Sequence, residues 1–323
     1  MNALTHASFG EPAEAITLAD LPIPEPGPGD VRLRILRSPI HNHDLATIRG
    51  VYGYKPALPA IAGSEVVGIV DAHGDGVSAP AIGTRVAALT RAGWAEYACV
   101  AADSVVPVPA ALSDDVAAQV LAMPLSAVVL LQSLNVSAGD WIAQNAASGA
   151  VGRTLMRLAQ ARGVNVINLV RRDDAAEQLR EFGAKHVVVT SDADWKAQVR
   201  ALAHQGVARI VDSVAGPQTL ELQELLAKQG ELIIFGGLSG QAIKLNPSTM
   251  ISHEIVVRGF WMTAWMMRAA PDERAAAMGE VFARVLAGEL PLPVGGTYTL
   301  DEHRAALAAA ETPGRTGKVL FRL

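Results

Sequence analysis

Cysteine is almost absent. Cys99 is the only one in 323 residues, which excludes an internal disulfide and any zinc site built from several thiolates. No apolar run of membrane-spanning length escapes interruption by a charge, a glycine or a proline. Met1 to Pro24 shows no basic start followed by an apolar core, so a secretory leader is not expected. An excess of positive charge is missing too. The 27 Lys and Arg against 32 Asp and Glu leave a formal net charge of −5, which argues against a protein held to nucleic acid by phosphate contacts. The expected location is the reducing cytoplasm, and the expected partners are small molecules rather than nucleic acid or membrane.

What is present suits a well-packed enzyme or binding protein: 50% of residues are hydrophobic and 18% charged. The length exceeds one ordinary core, so two domains are expected. Twelve of the 18 prolines precede residue 125. There, short β-rich runs (Val31 to Leu36, Val66 to Val70, Arg85 to Leu89, Ala95 to Val100) are divided by turns, and Pro22 to Asp30 reads as a stiff extended loop. Residues 1–116 therefore read as a mainly antiparallel β domain. From Ala117 an apolar helical stretch to Leu134 leads into alternating strands and helices. The strands are read at Trp141–Ala143, Val164–Val170, His186–Thr190, Arg209–Ser213, Glu231–Phe235 and Glu254–Val257. Such alternation predicts a doubly wound parallel sheet, an α/β fold, over 117–264. Residues 265–323, with helices at Pro271 to Gly288 and Leu300 to Ala310 and a last strand at Lys318 to Leu323, are expected to return to the first domain.

The most specific local pattern runs from Trp141 to Arg172. An apolar strand meets a small-residue turn, Ala147-x-Gly149-x-x-Gly152, followed by an amphipathic helix and a second strand. This is the arrangement that holds a dinucleotide. Gly149 lets the backbone approach the pyrophosphate and Gly152 lets the helix pack on the sheet. The N–H groups around Ser148, Gly149, Ala150, Val151 and Gly152 hold the phosphates. A tight turn without a ligand would share the glycines but not the surrounding strand–helix–strand context.

Where NAD enzymes carry an acid about 20 residues on, this chain has Arg171 and Arg172. An acid would repel a 2′-phosphate, whereas a guanidinium chelates one. The expected cofactor is NADPH. In the other reading the two arginines are solvated and Asp173 or Asp174 caps the helix that follows.

At this point the chain resembles the medium-chain dehydrogenases/reductases over nearly its whole length. Gly63-Ser64-Glu65-Val66-Val67-Gly68, Gly83-Thr84-Arg85-Val86 and Gly93-Trp94-Ala95-Glu96-Tyr97 are similar to three of that superfamily's segments. The resemblance implies a GroES-like β domain formed by both ends of the chain around a Rossmann domain. Zinc-dependent members place Cys and His where this chain has His41 and Ser64. His41, His43, Asp44 and Glu65 are of metal-ligating type, but His-Asn-His in a helix would turn its imidazoles apart, and no metal is expected. Within the zinc-free branch, Asp44 to Pro56 resembles a segment of the mitochondrial-type 2-enoyl thioester reductases. Arg258-Gly259-Phe260-Trp261-Met262-Thr263-Ala264-Trp265 is similar to another. Met123 and His41 depart from the residues usual at their places.

The resemblance implies reduction of an activated double bond, which needs less electrophilic help than reduction of a carbonyl. It assigns Tyr52 as hydrogen-bond donor near the enolate and as an acid; an ordinary phenol, with a pKa of about 10, is protonated at neutral pH. It places Ser126, Lys318 and the strand-end segment Phe235-Gly236-Gly237-Leu238 by the cofactor, and His41, Phe260, Trp261 and Trp265 by the substrate. The expected activity is NADPH-dependent reduction of a trans-2-enoyl thioester. An NADPH:quinone or enone oxidoreductase is the alternative, and an NADPH-binding regulatory protein without turnover is the alternative of a different class. A homodimer through the edge around Glu254 to Val257 is a family expectation.

Overall fold

The computed structural model describes residues 1–323. It divides into unit 1, Met1–Ala122 with Phe282–Leu323, and unit 2, Met123–Val281. In chain order, unit 1 contributes β1 (Asn2–His6), β2 (Ile16–Asp20), β3 (Asp30–Pro39), β4 (Ala60–Ile61), β5 (Glu65–His73), β6 (Arg85–Leu89), β7 (Tyr97–Ala101) and β8 (Val106–Pro107). Unit 2 contributes β9 (Trp141–Gln144), β10 (Asn165–Val170), β11 (His186–Val189), β12 (Val207–Asp212), β13 (Leu226–Ile234) and β14 (Val256–Gly259). The chain then returns to unit 1 with β15 (Val294–Tyr298) and β16 (Lys318–Arg322).

In unit 1 the alternation of β3 decides its faces. Val31, Leu33 and Ile35 are buried, while Arg32 between them reaches Asp71 at 2.8 Å. The main sheet runs β15-β16-β3-β5-β6-β8, with β7 also paired to β3, and a smaller sheet runs β2-β1-β4. β16 pairs antiparallel with β3. Phe321 thereby meets Trp94 edge-on at 5.2 Å, both fully buried beside Leu4, Ile40 and Ile48.

In unit 2 six parallel strands are ordered β11-β10-β9-β12-β13-β14. The order reverses between β9 and β12, and the carboxyl ends of strands at such a reversal are where open α/β sheets bind ligands. Ile142, Ile167, Leu169, Ile210 and Leu232 fill the core.

Several predicted elements differ: the strand read at Glu231–Phe235 begins at Leu226, and the helix read from Leu300 to Ala310 is a 3-10 turn, Leu300–Glu302, followed by a helix, His303–Glu311. The helix read from Ala117 to Leu134 is two helices, Asp114–Ala117 and Met123–Leu134. Between them, Leu121 and Ala122 turn their N–H groups to the Glu65 carboxylate at 2.6 and 3.1 Å, and Pro124 sits in the first turn of the second helix, where its missing N–H does no harm. The edge strand read at Glu254–Val257 begins later, at Val256. Glu254 is in the left-handed region, φ 53°, where it ends the helix Pro247–His253.

Candidate functional site

In unit 2 the sheet presents the dinucleotide-type turn at the end of β9. The helix Ala150–Ala161 starts there with Gly149 as its cap and no side-chain cap, so the amides of its first turn are left for another acceptor. Gly152 is required by a close approach: a Cβ there would lie 2.6 Å from the carbonyl oxygen of Ala147. The next strand end is built similarly, since a Cβ on Gly236 would lie 2.7 Å from the carbonyl oxygen of Ser213. Ser148, Gly149, Ala150 and Val151 are at least partly exposed, as are Phe235, Gly236, Gly237 and Leu238. Ser126 is buried in the helix Met123–Leu134.

A buried amide network holds this edge, and sequence reading gave its members no role. Gln144 donates to the carbonyl of Gly152 and to Asn168 Oδ1, both at 2.8 Å, and Asn168 donates to the carbonyl of His186 at 3.1 Å. Asn145 donates to Asp212 at 2.7 Å and accepts from the Ser213 amide at 2.7 Å. Asp212 also accepts from Val214, Ala215 and Thr219. The signal available in the sequence was a polar residue inside an apolar strand, as Asn168 is in Val166-Ile167-Asn168-Leu169-Val170.

Arg171 and Arg172 follow β10 directly, both exposed. Arg172 caps the helix Asp173–Glu181 by position and pairs with Asp174 at 2.8 and 3.1 Å. The cap residue Arg172 makes no side-chain cap, and the Asp174 carboxyl in the first turn is held below its usual range by its bond to Arg172 and also by the backbone amides of Ala175 and of Asp174 itself. Arg171 enters no ion pair. Phe260 follows β14 and stacks on Phe235 at 5.9 Å. Trp261, 48% exposed, opens the helix Met262–Arg268, which carries Trp265 one turn on.

Unit 1 gathers a polar cluster between β3 and β5. His41 is fully buried at the extended cap of the helix Asn42–Ile48, and its backbone amide donates to Asp44 at 2.8 Å. Its Nε2 lies 2.7 Å from Glu65 Oε2. His43 stacks on His41 at 4.9 Å and on Tyr52 at 5.7 Å. The two imidazoles thus converge, against the sequence expectation, because His41 is extended and only His43 is helical. His43 Nε2 lies 2.6 Å from Ser64 Oγ. Tyr54 lies instead under Arg91, 4.2 Å from its guanidinium.

Burial dominates the electrostatics. It pushes Glu65 up to about 8, against the pull of the two backbone amides, and pushes His41 well below the usual imidazole range. His43 is lowered by burial, opposed by Asp44. Lys318, buried at the start of β16, is pushed down to about 8 by burial and then by Arg315. The side chains of metal-ligating type are committed elsewhere, His41 to Glu65 and His43 to Ser64. No three His, Cys, Asp or Glu converge as a ligand set.

The family model described as alcohol dehydrogenase GroES-like domain matches residues 27–110, and that described as zinc-binding dehydrogenase matches 150–279. The mitochondrial enoyl-[acyl-carrier-protein] reductase of Xenopus tropicalis is 30% identical over 96% of this chain and 92% of its own. That of Homo sapiens is 28% identical over 100% and 89%. Among solved structures, a Bacillus thuringiensis protein assigned as an NADPH:quinone reductase superposes with a TM-score of 0.93 at 30% identity, covering 100% of this chain and 98% of that one. A mycobacterial protein complexed with NADPH superposes with a TM-score of 0.89 at 27% identity over the whole of both chains.

Proposed function

The chain belongs to the medium-chain dehydrogenase/reductase superfamily, and within it we propose an NADPH-dependent, zinc-independent reductase that acts on the activated double bond of a 2-enoyl thioester. That it is an oxidoreductase of the NADPH-using kind rests on its full-length relatives. The single observation that carries the cofactor is the turn at Gly152, closed to any side chain because a Cβ there would lie 2.6 Å from the Ala147 carbonyl oxygen, and followed at the end of β10 by arginine instead of an acid. The first-turn amides and the cation fit a pyrophosphate and a 2′-phosphate, although the Gly149 N–H itself is taken by the Ala146 carbonyl at 2.9 Å.

In this reading the turn from Ser148 to Gly152 holds the pyrophosphate, through the amides of Ser148, Ala150, Val151 and Gly152 with Gly149 lining the approach, and Arg171, with Arg172, holds the 2′-phosphate. Phe235 to Leu238, Ser126 and Lys318 complete the nucleotide contacts. The bound cofactor supplies the hydride. Tyr52 donates its hydroxyl to the thioester oxygen on which negative charge develops. His41, Phe260, Trp261 and Trp265 shape the substrate's surroundings. The zinc-free reading rests on His41 and Ser64 where zinc-dependent members place Cys and His, together with the pairing of those side chains.

A screen of NADPH oxidation with crotonyl thioesters, quinones and simple enones tests the assignment. Preference for the thioester supports it. Preference for a quinone favours the reading that the Bacillus thuringiensis relative suggests, and tight NADPH binding with no acceptor favours a regulatory role. A homodimer is part of the same proposal. β14 is an edge strand with Val256 48% exposed, and Ile251 beside it is 79% exposed, a surface suited to strand pairing.

A further inference from the structure

A tyrosine that serves as donor and acid must have its ring held, not only its backbone. Misplacing a reacting group by about 1 Å can cost about a hundredfold in rate. Tyr52 lies in the loop after the helix Asn42–Ile48. Its amide and that of Val51 donate to the Ala46 carbonyl at 3.2 and 3.0 Å, which ties the backbone on the side of the helix. On the other side Gly53 has nothing within 4 Å of where a Cβ would stand. The phenol is half-buried and turns about two side-chain bonds beyond this anchor.

Resting on the reductase reading above, we propose that His43, clamped by Ser64, is the platform that aims the Tyr52 hydroxyl at the substrate. Both are positioning residues, and the proton chemistry stays with Tyr52. The His43 ring lies against the phenol at 5.7 Å and 29°, and His41 lies against the same imidazole at 4.9 Å and 15°. Two residues adjacent in sequence fix these imidazoles. Ser64 Oγ lies 2.6 Å from His43 Nε2, and Glu65 Oε2 lies 2.7 Å from His41 Nε2. Ser64 is placed in turn by its carbonyl, which accepts from the Thr90 amide at 2.9 Å. Glu65 is placed by the amides of Leu121 and Ala122. The contacts thus run from β5 to the phenol through side chains that solvent barely reaches: Glu65 and His41 are 0% exposed and His43 27%. A functional group is held to productive geometry by neighbours whose own rotamers are locked by packing and hydrogen bonds, and His43 meets both conditions.

His43 suits a platform rather than a proton source. Burial lowers its basicity, Asp44 opposes the effect and Lys318 adds to it, so the ring is neutral at pH 7. A neutral imidazole has one nitrogen that donates and one that accepts, and the Ser64 hydroxyl satisfies either at Nε2. Ring stacking and one hydrogen bond therefore fix the imidazole without a charge.

The test is a set of double-mutant cycles. Ser64→Ala, His43→Phe and His43→Gln are made in wild type and in Tyr52→Phe, and assayed with crotonyl thioester, an enone and a quinone. His43→Gln keeps a partner for Ser64 and loses the ring, whereas His43→Phe keeps a ring and loses the partner. His43→Gln is expected to lower kcat by about a hundredfold, and Ser64→Ala and His43→Phe by about tenfold, with KM staying within about twofold. In Tyr52→Phe, where the hydroxyl is already gone, none of the three slows turnover by more than about twofold. A residue that only stabilises the fold would slow both backgrounds alike. NADPH affinity, read from cofactor fluorescence, stays the same throughout. Ser64→Ala removes a single oxygen and carries the test should a His43 variant not fold. If wild type oxidises no NADPH with any acceptor, the reductase reading fails and takes the platform with it. If wild type turns over, the platform alone is overturned by any of three results: Ser64→Ala keeps within about twofold of wild type, the variants slow Tyr52→Phe as much as they slow wild type, or His43→Gln is as fast as His43→Phe.

Discussion

Glu65 and His41 meet at 2.7 Å with no exposed side-chain surface on either. Burial raises the carboxyl and lowers the imidazole, and both shifts have one meaning: the pair shares a single acidic proton and carries no net charge. A neutral pair avoids the several kcal/mol per ion that burying two separate charges would require.

Glu65→Ala strands His41 Nε2 and the amides of Leu121 and Ala122. Leaving a buried polar group without its partner costs about 1–3 kcal/mol; with three stranded here, the thermal midpoint is expected to fall by roughly 6 °C or more. Glu65→Gln keeps the acceptor oxygen and is expected to lose less. Calorimetry of the two variants distinguishes a buried pair from a dispensable one, for which both midpoints would stay near that of wild type.

Tyr52→Phe removes one hydroxyl and keeps the ring that packs on His43 at 5.7 Å. Loss of a donor to a developing oxyanion lowers kcat by about a hundredfold. NADPH affinity should not change. Equal turnover in steady-state assays with crotonyl thioester would remove Tyr52 from the mechanism.

The two arginines after β10 differ in freedom. Arg172 is engaged by Asp174 at 2.8 Å, whereas Arg171 is exposed without an ion pair. Arg171→Ala is therefore expected to narrow the preference for NADPH over NADH by about tenfold, the scale of one charge-assisted contact, and Arg172→Ala by less. Parallel titrations with both cofactors measure this; the reverse order would place the 2′-phosphate on Arg172.

Lys318 gives stability a pH dependence of known sign. Its folded value is pushed down to about 8, while an unfolded lysine titrates near 10.4. Between those values the unfolded chain binds more protons, so this group makes stability rise with pH from about 8 toward 10. Below 8 both states are protonated and the burden of burying the cation is constant. Cofactor-free Lys318→Met is expected to be more stable than wild type at pH 7, with the advantage shrinking by pH 10. Denaturation at several pH values reads the slope, and an advantage that does not change with pH would place the lysine in a solvated setting.

Gly152→Ala would set a Cβ 2.6 Å from the Ala147 carbonyl oxygen, which the backbone relieves only by moving the helix start. NADPH affinity is expected to drop by about tenfold or more, the scale of one charge-assisted hydrogen bond to a phosphate. An unaltered dissociation constant would show that the turn does not hold the phosphates.

The strand–turn–helix unit from Trp141 to Arg172 was legible because its signals are local. Strand and helix have different periods, and a helix packed on a strand leaves room for no side chain at Gly152. The same local reading ran the helix from Ala117 through to Leu134 and started the edge strand at Glu254. In the first case Glu65, 56 positions from Leu121, captures the amides that the helix would have used. In the second, Glu254 adopts a left-handed conformation at a helix end, which glutamate seldom announces.

The chain's pattern alone determined the α/β fold, the glycine turn after β9 and the arginines beyond it, since each depends on residues within a few positions of one another. It named His41, Tyr52 and Lys318 through likeness to relatives, without telling what they touch. Only the tertiary structure joined His41 to Glu65 and His43 to Ser64. The cause is the antiparallel register of β3 and β5, in which Arg37 faces Val67: the end of one strand lies beside the start of the other, and residues more than 20 positions apart become hydrogen-bonded neighbours.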